Sequence, residues 1–253
     1  MLPAERRRRL VSIIVAHGSA LTAQLASSLG VSEVTIRSDL AYLERTGSVR
    51  RTHGGAVATT QGELIANFAT RAVLNWDAKL RIARAAAALI RPGEAIIVDA
   101  GTTTYALAQA VKPNLGITVF THGINVAQQF ASLGDCDVFV LGGVLSSDNA
   151  ETIDDGHDHR LDDVVAHYAF LGAGAVDADF DVTEASFGLV TSKRNMARAA
   201  RRKVLLADSS KWSIRSHVKA MPLASFDIVI TDDDLPKKDQ SRIRDLGIDL
   251  RLV

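Results

Sequence analysis

Glu33, Thr35, Arg37 and Ser38 lie close enough in the chain to share the outer face of one helix start. Their side chains are donors and acceptors that can reach base edges in a major groove. Arg50, Arg51 and His53 follow in a short basic run suited to phosphates or a neighbouring minor groove. A different chemistry is spelled later, at the ends of apolar runs. Asp99-Ala100-Gly101-Thr102-Thr103-Thr104 is a compact hydroxyl-rich turn, where N–H groups and side chains can hold a phosphate oxygen. Thr121-His122, Gly142-Gly143, Gly172-Ala173-Gly174 and Asp208-Ser209-Ser210-Lys211 close other runs in the same way. Lys193 and Lys211 offer positive charge for such a phosphate, and Asp99 an acceptor for sugar hydroxyls. No lysine follows Gly101 at the spacing of a Walker loop.

The first set of residues needs two helices and a wing to position it. Thr22 is placed to cap a helix whose apolar positions Leu25, Ala26 and Leu29 share one face. Gly30 stands where that helix must end in a left-handed conformation. Ser32 is placed to cap the next helix, in which Ile36, Leu40 and Leu43 recur at helical spacing and face inward. Gly47 breaks the pattern, and Val49 to His53 form a basic wing closed by Gly54 and Gly55. Helix pairs of this kind also serve as plain packing units. Here the caps, the turn glycine, the arginines and the wing agree on duplex DNA as the partner. This head is expected to span 1–58.

Charge divides the chain at the same place. The formal net charge is zero, yet residues 1–56 balance at +4 and the remainder at −4. A basic head on an acidic body fits a nucleic-acid module joined to a part that does not touch DNA. Arg6 to Arg9 fall on a first helix opened by Pro3, as a solvated face or a phosphate contact. Cys136 is the single cysteine, so no disulfide forms within the chain and a reducing cytoplasm is expected. Its expected role is core packing. No apolar stretch is long enough to span a bilayer and no signal-peptide pattern follows the basic run, so a membrane partner is not expected.

The second set needs a sheet. Residues 59–75 read as a connector, followed by a helix over Asp77–Ile90 that Arg91-Pro92-Gly93 stops. Strand-like runs follow at Ala95–Asp99, Ile117–Thr121, Asp137–Gly142, Tyr168–Gly172, Lys203–Asp208, Asp227–Asp232 and Asp249–Val253. Helical patterns intervene at Tyr105–Val111, Ile124–Leu133, Phe187–Arg202 and Pro236–Leu246. The alternation predicts an α/β fold with an open, mainly parallel sheet over 76–253. Such sheets bind ligands beyond the carboxyl ends of their strands, so the strand-end turns are expected to line one pocket. Asp154 to His159 is rich in Asp and His, but two His one residue apart with no distant partner is not a metal-ligand spacing. It is expected to be a solvated loop or an effector lid, and neither metal nor cofactor is expected. His17, His167 and His217 show no partner in the sequence, and Trp76 and Trp212 read as packing anchors.

The motifs resemble those of the DeoR family of bacterial transcriptional regulators. Val31 to Leu40, Leu43 to Val49 and Arg51 to Ala56 match its winged helix-turn-helix. Asn67-Phe68, Arg71, Asn75 and Lys79 to Ala83 look like its connector. VDAGTTT, LGG, FLGAGAV, TSKRNM and LLADSSKW look like the strand-end motifs of its effector domain. The resemblance implies an effector domain similar in fold to ribose-5-phosphate isomerase, acting as a sensor of phosphorylated sugars or related anionic metabolites. Carried over by position, it implies ligand contacts at Asp99, Gly101, Thr102, Thr103, Thr104, Gly172, Lys193 and Lys211. Three places depart from the family pattern. Ser38 stands where a second arginine is common, His122 where Asn is common, and Asp181-Val182 precede Thr183 where a glycine is common. The last two bear on which sugar fits.

The reading expected from the sequence is a sequence-specific regulator, a repressor of a carbohydrate-metabolism operon, that binds operator DNA as a homodimer or homotetramer. One reading helix covers too few base pairs for genomic specificity. The alternative is a sugar-phosphate isomerase carrying a DNA-binding head, with Asp99 or Asp208 as base and Glu184 nearby. A structural, nucleoid-type DNA binder is a third reading.

Overall fold

The computed structural model describes residues 2–45, 47–59, 68–146, 149–153 and 160–253. Asn67, much of the connector and the segment Asp154 to His159 lie outside the described residues. The chain forms two compact units, one up to Leu74 and one from Asn75 to Val253.

The first unit runs α1 (Pro3–His17), β1 (Ser19–Leu21), α2 (Thr22–Leu29), α3 (Glu33–Arg45), β2 (Val49–Thr52), β3 (Gly55–Ala58) and α4 (Phe68–Val73). The strands form an antiparallel sheet in the order β1-β3-β2. Leu10 and Ile14 of α1, Leu25 of α2, and Ile36, Leu40 and Leu43 of α3 are buried against Val49. Gly30 ends α2 at φ 64°, a left-handed turn that glycine adopts without a Cβ penalty. Ser32 precedes α3, and its Oγ accepts the Thr35 N–H at 3.2 Å, so it caps as expected.

Three local expectations are corrected here. Thr22 does not cap α2. It is the first helical residue, it is buried, and its N–H donates to the Gly54 carbonyl at 2.8 Å, which ties α2 to the wing. Arg6 and Arg7 are not a purely solvated face. Their Nε atoms donate to the two oxygens of Asp39 at 2.6 and 2.8 Å, and Asp39 is 2% exposed. Gly55 does not close the wing. It starts the second arm, and β1 adds a third strand.

The second unit begins with α5 (Trp76–Ala87) and is built on seven parallel strands. These are β4 (Ala95–Val98), β5 (Thr118–Thr121), β6 (Asp137–Val140), β9 (Ala166–Leu171), β12 (Ala200–Leu206), β14 (Ile228–Thr231) and β15 (Asp249–Leu252). Their order is β15-β14-β12-β9-β4-β5-β6. The chain enters at β4, steps outward through β5 and β6, then returns to the other side of β4 as β9 and steps outward again. Alternation along the strands feeds two cores. Ile96 and Val98 face one, with Ile82 and Ala86 of α5, Leu107 of α6 (Thr102–Ala110) and Phe130 of α7 (Ile124–Ala131). Ile97 faces the other, with Val190 and Met196 of α8 (Phe187–Arg198) and Ile243 of α9 (Lys237–Asp245).

Two smaller pieces lie outside the sequence pattern. β7 (Val144–Ser146) and β8 (Glu151–Ile153) pair as an antiparallel ladder. β10 (Ala175–Val176), β11 (Asp181–Glu184) and β13 (Val218–Pro222) form an antiparallel sheet of their own. The helix expected over Phe187–Arg202 stops at Arg198, and Ala200 already pairs with Ala166 in the main sheet. The helix expected from Tyr105 starts at Thr102, so Thr102 to Thr104 are its first turn rather than the loop before it.

Candidate functional site

On the first unit, α3 buries Ile36, Asp39, Leu40 and Leu43 and leaves the opposite face exposed at its N-terminal end. Glu33, Arg37 and Ser38 are exposed there, and Thr35 is half-buried with its hydroxyl bonded to Ser32 Oγ at 2.9 Å. Arg37 is paired with Glu33 at 2.5 Å across one helical turn. Both side chains are about half exposed, and such a pair is worth only about 0.3–0.5 kcal/mol. A base edge or phosphate can therefore displace Glu33 at small cost. Arg50, Arg51 and His53 are exposed on the wing. The Arg51 N–H donates to Glu44 Oε1 at 3.0 Å, which straps the wing to the end of α3. The Asp39 clamp holds α1 against α3. It was hidden from sequence reasoning because its members lie 33 and 32 residues apart.

On the second unit, the order of the strands reverses between β4 and β9. Open parallel sheets bind ligands at such a reversal, beyond the strands' carboxyl ends. The structure brings Asp99 and Gly101 to Thr104 to the end of β4, and Gly172 and Gly174 to the end of β9. Thr121 ends β5 and His122 follows it, Gly142 follows β6, and Lys211 closes the short turn Ser209–Lys211 after β12. All stand on one rim. Thr183 does not belong to the main sheet. It lies on β11 with its Oγ1 donating to the Ala175 carbonyl at 3.3 Å and accepting the Ser216 N–H at 2.9 Å. Those bonds make it a structural tie. A cleft of about 850 Å³ lined by Arg194, Arg198, Lys203 and Asp227 lies at the opposite end of β12, away from this rim.

The centre of the rim is a buried charge cluster. The Lys193 ammonium pairs with Asp99 Oδ2, lies 3.2 Å from Glu184 Oε1 and donates to the Gly172 carbonyl at 2.8 Å. Burial pushes this ammonium down, but the Asp99 and Glu184 carboxylates outweigh it and hold the group above its ordinary value. Lys193 is therefore already neutralised rather than waiting for an anion. Asp99 is equally engaged: Oδ1 accepts the Ala100 N–H at 2.9 Å and Oδ2 the Gly172 N–H at 3.0 Å. Glu184 also accepts the Gly174 N–H at 3.1 Å. A Cβ on Gly174 would lie 2.8 Å from the Thr183 carbonyl, so only glycine lets the chain between β9 and β10 run this close to β11.

The remaining anion chemistry sits beside the cluster. α6 starts at Thr102 with Gly101 as its cap, so no side chain caps the amides of its first turn. Thr104 Oγ1 is occupied by the Gly101 carbonyl at 3.0 Å. Thr121 Oγ1 accepts the Gly123 N–H at 3.0 Å, and the His122 ring lies 3.3 Å from Thr152 Oγ1 of β8. Farther along the rim, Asp208 Oδ1 accepts the Asn75 side-chain amide at 3.2 Å and the Ser210 N–H at 3.2 Å. Asn75 escaped notice as a site residue because its partner lies 133 residues away. Among the described residues no cluster of His, Cys, Asp and Glu is placed to hold a metal ion. No described helix is long and apolar enough to cross a membrane.

Comparison with known proteins gives matches to both units. Residues 6–62 match the family model for a DeoR-like helix-turn-helix domain, and residues 74–233 that for the DeoR C terminal sensor domain. The chain is 30% identical over 252 residues to the putative aga operon transcriptional repressor of Escherichia coli O157:H7, covering 99% of this chain and 94% of that one. It is 28% identical to the glycerol-3-phosphate regulon repressor of Haemophilus influenzae, covering 90% and 89%. Among solved structures, ribose 5-phosphate isomerase A of Methanocaldococcus jannaschii gives a partial likeness, with 19% identity, a TM-score of 0.39 and 55% of each chain covered.

Proposed function

The chain belongs to the DeoR family of helix-turn-helix transcriptional regulators, and from that premise we propose a repressor of a carbohydrate operon that is released or recruited by a phosphorylated sugar. It acts in the cytoplasm, binds its operator as a homo-oligomer, and carries out no catalysis. The observation that carries the sensing half is the rim where the strand order reverses. There the first-turn amides of α6 stand without a side-chain cap, next to a lysine whose charge two carboxylates already balance.

The phosphate of the effector is held by the amides and hydroxyls of Gly101 to Thr104, where the helix dipole favours an anion. The Lys193 cluster shapes the floor beside it and fixes β4, β9 and β11 relative to one another. Its sugar hydroxyls meet the ends of β5 and β12. The names of relatives support this choice, since one is a glycerol-3-phosphate regulon repressor. The isomerase reading is not favoured, since the relatives are named as regulators and, of the two candidate bases, Asp99 has both oxygens hydrogen-bonded to backbone amides. An effector changes DNA affinity only if it binds one arrangement of the protein better than another.

The test is fluorescence anisotropy of the full chain on the duplex upstream of its own gene, titrated with matched phosphorylated and unphosphorylated sugars. One phosphorylated compound is expected to shift the affinity and its unphosphorylated partner to leave it alone. If DNA binds and no phosphorylated compound shifts it, the sensing reading is wrong.

A further inference from the structure

Val34 is the second residue of α3 and is 72% exposed. It lies outside the apolar core of its unit, whereas Val31 just before the helix packs against that core. Tyr42, the other large exposed hydrophobic of α3, is covered by the Arg7 guanidinium 3.9 Å above its ring. Val34 gains nothing comparable. A β-branched residue also loses side-chain freedom in a helix, so local helix formation does not call for valine here.

Its neighbours on the helix surface are Arg37 and Ser38, one turn on. Arg37 is drawn toward Glu33, which leaves Val34 as an apolar patch bordered by polar groups. This is the end of a reading helix that meets base edges. In the major groove one standard base presents an apolar group, the 5-methyl of thymine. We propose that Val34 is a specificity-determining residue that packs against the 5-methyl group of a thymine in each half-site. Its side chain is bare on the free protein because its partner is on the DNA.

The inference rests on the DNA-binding reading and is independent of the effector. Its test starts from a duplex that the full chain selects from random sequence. Each thymine is replaced in turn by deoxyuridine, which removes only the methyl, and binding is measured by anisotropy at fixed salt. Losing one buried methyl is expected to weaken the wild-type protein about fourfold at one thymine per half-site. Val34→Ser is expected to bind the thymine and deoxyuridine duplexes equally at that position. Val34→Thr keeps one methyl and retains part of the discrimination. Both variants melt with the wild type, since the side chain is not part of the core. Indifference of the wild type to every deoxyuridine overturns the inference, and so does a Val34→Ser protein that keeps the full penalty. If the full chain selects no sequence at all, the failure belongs to the DNA-binding reading, and this inference falls with it before any thymine is replaced.

Discussion

Replacing Lys193 by Met separates two roles that a buried lysine beside a ligand site can have. In the structure its ammonium serves Asp99, Glu184 and the Gly172 carbonyl, with the lysine side chain 4% exposed and the two carboxylates 13% and 11%. Methionine nearly fills the space but leaves two carboxylates facing each other without a cation. Breaking a buried pair by removing one partner costs about 3–5 kcal/mol. For a unit of this size about 2–4 °C is lost per kcal/mol, so melting is expected to fall by ~6–20 °C. Differential scanning calorimetry of the full chain reads that directly. Adding Asp99→Asn and Glu184→Gln to the same protein removes the uncompensated charge and is expected to recover part of the loss. If Lys193→Met instead melts within ~2 °C of the wild type while effector response disappears, the lysine is a free phosphate-binding cation, and the reasoning about the rim is wrong.

Asp39→Ala strands Arg6 and Arg7 and is expected to cost the first unit ~3 kcal/mol in urea unfolding. Because Arg6 is bound to Asp39, Arg6→Ala is expected to leave the slope of log K against log salt unchanged, whereas Arg51→Ala on the exposed wing lowers it by about one. A lower slope in Arg6→Ala would return that arginine to the phosphate contacts. Burial pushes the Asp177 carboxyl up, but the Asp181 N–H and the Arg215 guanidinium prevail and hold it below the usual carboxylate value. Its stabilisation is therefore present above the ordinary aspartate range and lost as pH falls through the lowered value. Melting curves of Asp177→Asn are expected to lie below the wild type at neutral pH and to converge with it in acid, and a gap that persists in acid contradicts this.

The seven parallel strands were legible because strands covered on both faces read as apolar runs between turns. AIIV of β4 and IVIT of β14 are such runs. The antiparallel sheet was not. β10 has two residues, and DVTE of β11 turns its polar groups into internal bonds rather than alternating against solvent. Glycine and hydroxyl turns at strand ends were visible because their chemistry is local. What each charge does was not, because Lys193 and Asp99 are 94 residues apart and only the fold makes them partners. The same limit hid the Asp39 clamp and left Arg6 and Arg7 looking unpaired. Thr22 misled for a local reason: the helix begins at Thr22 itself and Leu21 holds the cap position, so the hydroxyl sits one residue too far along to cap.

A sensor must pass its occupancy to the chain that leads to the DNA-binding unit, and Asn75 is the first residue of the second unit. It stands at φ 52°, a conformation that asparagine tolerates better than most residues. Its side-chain amide donates to Asp208 Oδ1 at 3.2 Å and to Ser210 Oγ at 3.0 Å, on the turn that ends β12 at the rim. The other Asp208 oxygen, Oδ2, is buried and has no hydrogen-bond partner among the described residues. If the proposed effector moves this turn, the two bonds are expected to pass the displacement to Asn75 and the start of α5. Asn75→Gly keeps the positive φ without strain and removes both bonds. In the sensing reading it is expected to bind the effector as the wild type does, measured by calorimetry, while the effector's influence on operator affinity shrinks. An unchanged influence, with the bonds gone, would mean that the signal leaves the rim by another route.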